Sequence, residues 1–316
     1  MLEKYICKFL PKRFYYYLPK KMTHSLLYYQ IHGCRMKWKK PDTLDEKLHW
    51  LMANSIGKYE AFFADKHAVR QYVADCGYND LLVPEYGTWS DVEQIDIAKL
   101  PDKFVLKTNH ASGGNFYVIC YDKEKICWDQ ELKNLNIAMH TNFAKLNMEY
   151  HYAYIKPLLM AEKLLEDHRE ERMIDYKIFC FDGIPDCIEV ISNRNENVMT
   201  NYYDINWNEL PYGVEGHTSD KKFDEPKSLP IMLKAAAKLS TPFPFARIDF
   251  YDVDGQAFFG EITLTPGSGN LIRLNKKGQL DLGEKLNLSV KKKTILKNEE
   301  IIKYVEKYYL YNDTKN

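Results

Sequence analysis

The N-terminal part of the chain has apolar residues at the three- and four-residue spacing of an amphipathic helix. In TLDEKLHWLMA, Thr43 and Glu46 stand three positions apart just before an apolar run, which is the pattern of a capping box. A second run, DKHAVRQYVADCG at 65–77, keeps apolar residues on one face and ends at Gly77, a favoured C-terminal cap. These patterns predict a mainly helical region over residues 41–100.

The period changes to that of strands from Phe104 onwards. FVLKTNH and FYVICYD are rich in strand-forming residues and flank ASGGN, so they predict a hairpin with a glycine-rich loop. DYKIFCFDGIPDCIEVIS predicts a second hairpin that turns at Asp182 and Gly183, a favoured turn pair. RIDFYDVDGQAFFGEIT predicts a third hairpin around Asp254 and Gly255.

Helical patterns return between and after these hairpins. They cover residues 129–150, residues 231–240 and the amphipathic tail EEIIKYVEKYYLY from Glu299. Because helices are mixed with antiparallel hairpins and not with repeated β-α-β units, the predicted fold class is α+β.

Composition narrows the class of protein without identifying it. The chain has 316 residues, enough for two or three domains, and its 45% hydrophobic and 28% charged residues are ordinary for a globular protein. Seven cysteines occur without C-x-x-C spacing and without clustering with histidine, which argues against a zinc site and a disulfide framework. Scattered free thiols fit a reducing compartment, so we expect a cytoplasmic location.

Charge is distributed unevenly, although the net charge is zero. Residues 1–40 contain ten Lys or Arg against one acid, Glu3, so this segment carries +9. Aromatic residues are interleaved with the charges, and the segment has neither the apolar run of a signal peptide nor that of a membrane span. Two interpretations stay open: a solvated basic arm, or a patch that rests on the anionic inner face of a membrane. Nucleic acid is not expected as a partner, because no nucleic-acid motif accompanies the charge.

The loop KTNHASGGN is the first candidate for chemistry. Gly113 and Gly114 allow a ligand to approach the backbone closely, and successive N–H groups can bind an anion. Ser112 adds a hydroxyl, and Lys107 on the preceding strand adds a cation for phosphate. A Gly-Gly hairpin is more often a plain turn, and we favour a loop-ordering hydrogen bond over general-base chemistry for His110.

The third hairpin carries the second candidate, a pair of facing acids. A three-residue loop at 254–256 would set Asp249 opposite Glu261, with their Cβ atoms about 5 Å apart. Two facing carboxylates repel unless a cation lies between them, and magnesium binds one or two carboxylates together with substrate phosphates. The alternative is a hairpin with solvated acids, which is our expectation for Asp252 and Asp254.

The register of this hairpin decides the position of the acidic pair. The three-residue loop also pairs Tyr251 with Phe259 and Ile248 with Ile262, which keeps similar residues together. A two-residue loop would instead place the two acids on opposite faces of the sheet. The observed register therefore tests the prediction directly.

The third candidate is the loop TPGSGN at 265–270, which follows Glu261 closely. Its small residues could present N–H groups to a carboxylate or phosphate beside the metal. A flexible loop without a ligand is the alternative.

The order of these three features resembles the ATP-grasp superfamily of carboxylate–amine ligases, and most closely its TupA-like members in the biosynthesis of teichuronopeptide and surface polysaccharide. The resemblance runs from about Pro41 to about Leu282. It rests on TLDEKLHW, DKHAVRQYV, LPDKFVLKTNHASGGN, DYKIFCFDGIPD and ARIDFYDVDGQAFFGEITLTPGSG, which are specific only together.

The resemblance implies a site for ATP. Lys66 and Lys107 match the two ATP-binding lysines, and Lys177 is similar to a third phosphate-binding cation. Residues that match the phosphate-covering loop are Ser112, Gly113 and Gly114. Three residues match the adenine hinge: Glu162 through its side chain, and Lys163 and Leu165 through their backbone. Glu166 or Asp167 could then bind the ribose.

The resemblance also implies a metal and an acceptor site. Arg247 resembles the arginine that stabilises the acyl phosphate, and Asp249 and Glu261 match the magnesium ligands. Thr263 stands where the superfamily commonly has asparagine, which leaves a second metal in doubt. Residues that match the substrate loop are Ser268, Gly269 and Asn270.

An ATP-grasp fold with a small lid subdomain and a larger catalytic subdomain, both built on antiparallel sheets, follows from the resemblance. The expected division of the chain is a basic aromatic arm (1–40), a mainly helical region (41–100), the lid subdomain (101–165), the catalytic subdomain (166–290) and a C-terminal helix (291–316).

The implied activity is that of an ATP- and Mg²⁺-dependent ligase that amidates a uronic acid or similar carboxylate in surface-polysaccharide biosynthesis. A phosphotransferase or glycosyltransferase of the same pathway and a non-catalytic nucleotide-binding assembly protein are the alternatives. Its expected partners are small-molecule or glycan carboxylates and amines, and its expected location is the cytoplasm or the inner face of the membrane.

Overall fold

A computed structural model describes residues 2–111, 116–167, 173–192, 198–288 and 299–310 of the chain. Within these ranges, α-helices accompany one four-stranded and one six-stranded sheet, both antiparallel throughout. The predicted α+β class is therefore confirmed. No helix in the part of the chain that the structure describes has the length and apolar character needed to cross a membrane.

Short helices build the N-terminal region, as the apolar spacing predicts. They are α1 (Leu2–Phe9), α2 (Lys20–His32), α3 (Leu44–Asn54), α4 (Lys58–Ala64) and α5 (Val69–Asp75). The predicted capping box is present, because the Thr43 side chain accepts from Glu46 N at 3.2 Å and Glu46 accepts from Thr43 N at 3.3 Å. The run predicted at 65–77 starts later, at Val69, because residues 66–68 form a turn.

The remaining helices lie between the strands and after them. They are α6 (Trp128–Met139), α7 (Phe143–Asn147), α8 (Leu229–Ser240), α9 (Lys276–Lys285) and α10 (Glu299–Val305). The helix predicted over 129–150 is divided in two, because the side chain of Asn142 accepts from Lys145 N at 3.0 Å and caps a new helix.

The smaller sheet contains the glycine-rich hairpin. Its strands are β1 (Glu85–Trp89), β2 (Phe104–Thr108), β3 (Tyr117–Cys120) and β4 (Leu159–Lys163), in the order β1-β4-β2-β3. Alternation along β2 buries Phe104 and Leu106 on the face that packs against α6 and leaves Lys107 on the other face. The predicted loop residues Ser112, Gly113 and Gly114 lie outside the described residues.

The larger sheet forms the main core. Its strands are β5 (Asp175–Phe181), β6 (Ile184–Ser192), β7 (Met199–Asp204), β8 (Glu209–Leu210), β9 (Phe245–Val253) and β10 (Gln256–Thr263), in the order β10-β9-β5-β6-β7-β8. Helix α8 packs on it through Met232, Ala236 and Leu239, which are fully buried. The hairpin predicted to turn at residues 182–183 is confirmed.

The basic N-terminal segment is helical and packed, unlike an extended arm. Tyr15 has no exposed surface, and Leu26 and Leu27 on α2 are buried with it. The small sheet also includes β1, which lies before residue 101, the predicted start of the lid subdomain. The predicted subdomain boundaries themselves stay predictions.

Candidate functional site

The tip of the third hairpin has a two-residue turn and not the predicted three-residue loop. Asp254 and Gly255 have φ values of 53° and 89°, which is the left-handed conformation that such tight turns need. Val253 therefore pairs with Gln256, and Tyr251 pairs with Phe258. The predicted loop length and the predicted pairing of Tyr251 with Phe259 are both wrong.

A β-bulge then restores the register further along the hairpin. The pairing shifts by one residue between Phe259 and Glu261, so that Gly260 is the extra residue. A Cβ atom on Gly260 would lie 3.0 Å from the carbonyl oxygen of Asp249, which explains why glycine occupies the bulge. Beyond it, Asp249 is paired with Glu261, as predicted.

Of the other two acids on this hairpin, one differs from the prediction. Asp254 is exposed in the turn, as expected. Asp252 is only 3% exposed and accepts hydrogen bonds from the backbone N–H groups of Ser228 at 3.1 Å and Gly255 at 3.0 Å. Asp252 is therefore a buried structural residue and not a solvated one, because it ties the turn to the start of α8.

Charged side chains form a row across four strands of the large sheet. The register places Glu189 on β6 opposite Lys177 on β5, Lys177 opposite Asp249 on β9, and Asp249 opposite Glu261 on β10. Arg247 lies two residues before Asp249, so its side chain shares the same face. The alternation of strands thus brings four predicted site residues to one place.

Cations compensate the acidic pair directly. Lys177 Nζ donates to Asp249, and Arg247 donates to the same carboxylate from Nε and Nη2, each at 2.7 Å. Lys66 Nζ lies 3.3 Å from Glu261 Oε2, and Thr263 donates to Glu261 Oε1 at 2.8 Å. The repulsion expected between two facing carboxylates is therefore offset by side chains of the protein itself.

The electrostatic environment keeps Glu261 ionised at neutral pH. Burial would raise the pKa of this carboxyl, but the charges of Lys66, Lys177 and Arg247 outweigh burial and lower the pKa. Burial would lower the pKa of the Arg247 guanidinium, but the charge of Asp249 and its hydrogen bonds raise it. Glu261 keeps 30% of its side-chain surface exposed, whereas Asp249 keeps 6%.

The donor set fits magnesium better than a softer metal. Two carboxylates and the hydroxyl of Thr263 are hard oxygen donors, and Mg²⁺ needs only one or two carboxylates because phosphates and waters complete its shell. Within the described ranges, no group of three or more His, Cys, Asp or Glu side chains could hold a metal ion. Glu261 is the more accessible donor, since both oxygens of Asp249 already accept from Arg247 and Lys177.

Lys107 and Glu162, which the resemblance assigns to the nucleotide, lie on the small sheet. Lys107 Nζ forms an ion pair with Glu162, and Arg70 Nη1 lies 3.1 Å from the other oxygen of the same carboxylate. Arg70 also donates to Val83 O at 2.8 Å. Sequence reasoning missed Arg70, although it stands in the DKHAVR motif four residues after Lys66.

The predicted hinge residues follow Glu162 along the chain. The N–H group of Lys163 donates to Pro84 O at 2.9 Å, so this donor is already used within the protein. Leu165 is half-buried in the connection after β4. Glu166 accepts from Lys103 Nζ at 2.8 Å and is exposed.

The predicted substrate loop is tightly held. Gly267, Ser268 and Gly269 have consecutive positive φ values of 58°, 53° and 85°. A Cβ atom on Gly269 would lie 3.0 Å from Met52 Sδ and 3.3 Å from the ring of His49, so glycine is required there. Asn270 Oδ1 lies 3.2 Å from His49 Nε2.

Sequence reasoning also missed Glu149, which lies beneath this loop. Thr265 and Ser268 both donate to its carboxylate, Ser268 at 3.1 Å. Burial raises the pKa of Glu149 to about 7, against the effect of those hydrogen bonds. Only its position in the fold reveals it, because Glu149 stands in no recognisable motif.

Comparison with known proteins gives one family match. The family model of the TupA-like ATP-grasp proteins matches residues 46–287. No curated protein matches the chain.

Several solved structures are similar to the chain at low identity. The D-alanine–D-alanine ligase of Bacillus anthracis is 16% identical, with a TM-score of 0.44 over 82% of this chain and 71% of that one. An ADP complex of N5-carboxyaminoimidazole ribonucleotide synthetase is 15% identical, with a TM-score of 0.43 over 70% and 51%. The ATP-grasp ligase PsnB, with a phosphomimetic variant of its minimal precursor, Mg and ADP, is 13% identical, with a TM-score of 0.41 over 77% and 65%.

Proposed function

The chain belongs to the TupA-like ATP-grasp family and is therefore an ATP-dependent ligase, and we propose that it joins a carboxylate to an amine with Mg²⁺ as its metal. The observation that carries the proposal is the convergence of Lys66, Lys177 and Arg247 on the facing pair Asp249 and Glu261. Such a cluster matches the needs of phosphoryl transfer, where positioning and charge neutralisation supply most of the catalysis.

In the first step, a carboxylate oxygen of the acceptor attacks the γ-phosphorus of ATP, ADP leaves, and an acyl phosphate forms. Lys66, Lys107 and Lys177 bind the phosphate oxygens and hold the chain of phosphates in line. When bound, Mg²⁺ neutralises phosphate charge beside Asp249 and Glu261. The residues Ser112, Gly113 and Gly114 cover the phosphates and exclude water in this proposal.

In the second step, the nitrogen lone pair of the amine attacks the acyl carbon. Arg247 stabilises the negative charge that develops on the carbonyl oxygen, since its guanidinium is fixed beside the site by Asp249. The C–O bond to phosphate then breaks, inorganic phosphate leaves with the bonding electrons and takes up the proton that the nitrogen loses, and the amide remains. The loop of Ser268, Gly269 and Asn270 binds the acceptor.

We further propose that the acceptor is a uronic acid or a similar carboxylate of a bacterial surface polysaccharide and that the amine is an amino acid. Support for this substrate class comes from membership of the TupA-like family, which the quoted motifs and the family model both indicate. The basic N-terminal surface supports a location in the cytoplasm at the inner face of the membrane, where lipid-linked glycans are present.

The test is incubation of the protein with ATP, Mg²⁺, pooled amino acids and uronic-acid sugars, with phosphate release and product mass as readouts. ADP, inorganic phosphate and a product of amide mass are expected. A phosphorylated product without free phosphate would show a phosphotransferase instead. Unchanged ATP with a glycosylated product would show a glycosyltransferase, and an absence of any turnover would favour a nucleotide-binding assembly protein.

A further inference from the structure

Two buried histidines connect the N-terminal helices to the substrate loop. His24 on α2 and His49 on α3 have no exposed surface, and their Nδ1 atoms lie 3.0 Å apart. His49 continues the connection through Nε2, which lies 3.2 Å from Asn270 Oδ1. Asn270 in turn donates from Nδ2 to Ser268 O at 3.3 Å, which fixes the orientation of its amide.

This geometry determines the tautomer of each ring. Asn270 Oδ1 is an acceptor, so His49 must carry its hydrogen on Nε2. The Nδ1 atom of His49 then carries a lone pair and must accept a hydrogen bond. The donor is His24, which therefore carries its hydrogen on Nδ1. Burial lowers the pKa of both histidines, that of His49 to about 4, so both rings are neutral at physiological pH.

A second set of contacts runs from the substrate loop back to α2 and closes a circuit of hydrogen bonds. Ser268 Oγ donates to Glu149 at 3.1 Å, and the next residue, Tyr150, donates from its hydroxyl to Thr23 Oγ1 at 3.3 Å. Thr23 directly precedes His24 in the sequence. Four separate segments of the chain, one of them the substrate loop, are therefore joined in one closed circuit.

The circuit includes residues that the family match does not cover. That match begins at residue 46, whereas Thr23 and His24 lie on α2, before it. The amide of Asn270 uses one donor and one acceptor site within the circuit, so one N–H and one lone pair remain for a polar ligand. The N-terminal helices are thus built into the acceptor side of the site.

We propose that His24 and His49 are positioning residues, which act through Asn270 to orient a polar, hydroxyl- or carboxylate-bearing acceptor. The proposal rests on the proposed ligase function. A fixed amide lowers the cost of placing the acceptor carboxylate in line with the γ-phosphate, because less freedom is lost on binding. The N-terminal segment accordingly contributes to acceptor selection.

The first test is spectroscopic and needs no substrate. Long-range ¹H–¹⁵N spectra of the full chain labelled with ¹⁵N-histidine should place hydrogen on Nε2 of His49 and on Nδ1 of His24. Asn270→Leu should shift the ring nitrogens of both histidines, whereas His217→Gln, a change at an exposed histidine, should shift neither. The opposite tautomer at His49, or ring-nitrogen shifts of His24 that stay the same in Asn270→Leu, would overturn the proposal.

The second test is kinetic and uses the uronic-acid and amino-acid mixture. His24→Leu should raise the half-saturating concentration of the acceptor sugars about fivefold, the effect of one lost neutral hydrogen bond, with the KM for ATP unchanged. His24→Asn should restore most of the affinity, because its amide nitrogen can donate from near the position of Nδ1. An equal change in the ATP dependence, or no change for the acceptor, would exclude the positioning role.

The two tests also separate this proposal from the ligase function. If no sugar is consumed by the wild-type protein, the proposed acceptor class fails while the spectra still decide on the circuit. If the wild-type protein is active and the spectra contradict the tautomers, only the positioning proposal fails.

Discussion

Lys66 places its Nζ atom 3.3 Å from Oε2 of Glu261 and so joins the N-terminal helices to the end strand of the large sheet. The backbone N–H of Lys66 also donates to Asn109 O at 3.0 Å, next to the end of β2 in the small sheet. One residue in the turn between α4 and α5 therefore contacts the large sheet and the segment that directly follows β2 of the small sheet. The ammonium group of Lys66 is therefore positioned to contact an anion that binds between the two sheets.

The first prediction concerns the accessible acid of the pair. Glu261→Gln should reduce ATP turnover by about 100-fold or more, because it removes the charge that balances Lys66 and that we propose as a magnesium ligand. Phosphate release at saturating ATP measures the effect. Asp254→Asn removes an exposed acid from the same hairpin and should leave turnover within about twofold. Equal rates for the two variants would contradict the assignment of Glu261.

The second prediction concerns the nucleotide. Lys107→Met should weaken ATP binding about tenfold or more, since it deletes a charge-assisted partner for phosphate and leaves Glu162 with Arg70 alone. Titration calorimetry with a non-hydrolysable ATP analogue is the measurement. Lys125→Met, at an exposed lysine that contacts Asp122, is the matched control and should bind like the wild type.

The third prediction concerns the bulge. Gly260→Ala should destabilise the fold by about 1–2 kcal/mol and also reduce turnover, because the new Cβ meets the Asp249 carbonyl at 3.0 Å. At Gly57, the corresponding Cβ lies 3.9 Å from Glu60 and meets no backbone atom, so Gly57→Ala should cost less, about 0.5 kcal/mol from the exchange of a favoured N-cap residue for a poor one. Chemical denaturation compares the two variants. A stable and fully active Gly260→Ala protein would show that the register does not depend on glycine.

The fourth prediction concerns pH. Glu149 has a pKa of about 7 in the fold against an ordinary value of 4.5, so the folded protein binds the extra proton between these values. Its stabilising contribution is complete below about pH 4.5 and is lost as the pH rises through 7, on the order of 3 kcal/mol.

The lowered pKa of His49 has the opposite effect in the same range, so the comparison must be made with a variant. The stability of the wild type relative to Glu149→Gln should fall between pH 5 and 7.5 in urea denaturation. Glu124→Gln changes an exposed acid, so its free energy of unfolding should depend on pH in the same way as that of the wild type. A constant difference between the wild type and Glu149→Gln would refute the raised pKa.

The fifth prediction concerns the basic N-terminal surface. Lys12 and Arg13 are exposed beside Phe14 and Tyr17, which are themselves 43% and 69% exposed. Their joint replacement by Gln should weaken sedimentation with vesicles that contain anionic lipid, since each charge contributes about 1 kcal/mol near such a surface.

The same two-charge change at Lys234 and Lys238 on α8 is the control and should leave sedimentation unchanged. Truncation is a poorer test, because Tyr15 is fully buried and its loss would disturb the fold. Equal binding by all variants would remove the support for a membrane-facing N-terminus.

Local patterns were sufficient to predict the family, the α+β class and the hairpins. The capping box at Thr43 and the turn at Asp182 follow from interactions between residues close in sequence, so they can be read directly. The pairing of Asp249 with Glu261 was predicted correctly from a wrong loop length, because the bulge at Gly260 compensated for the shorter turn. A bulge leaves little trace in the alternation of side chains.

The features that sequence reasoning missed depend on contacts between distant segments. Arg70 and Glu149 gain their positions from the packing of helices onto sheets, and no spacing rule connects them to their partners. The pair of His24 and His49 is similar, since two histidines on different helices have no local signal. Asp252 was misjudged because its burial comes from Ser228, which is near in space only.

The bulge at Gly260 also has an evolutionary consequence. Turn length and bulge make equal and opposite contributions to the position of Glu261 relative to Asp249, so only their sum is constrained by the site. A relative that gained one residue at the turn and lost the bulge would keep the same acidic pair. Insertions and deletions at this hairpin should therefore occur in compensating pairs, and an alignment that forbids gaps there would misplace the strand residues between the turn and the bulge while keeping the second acid in place.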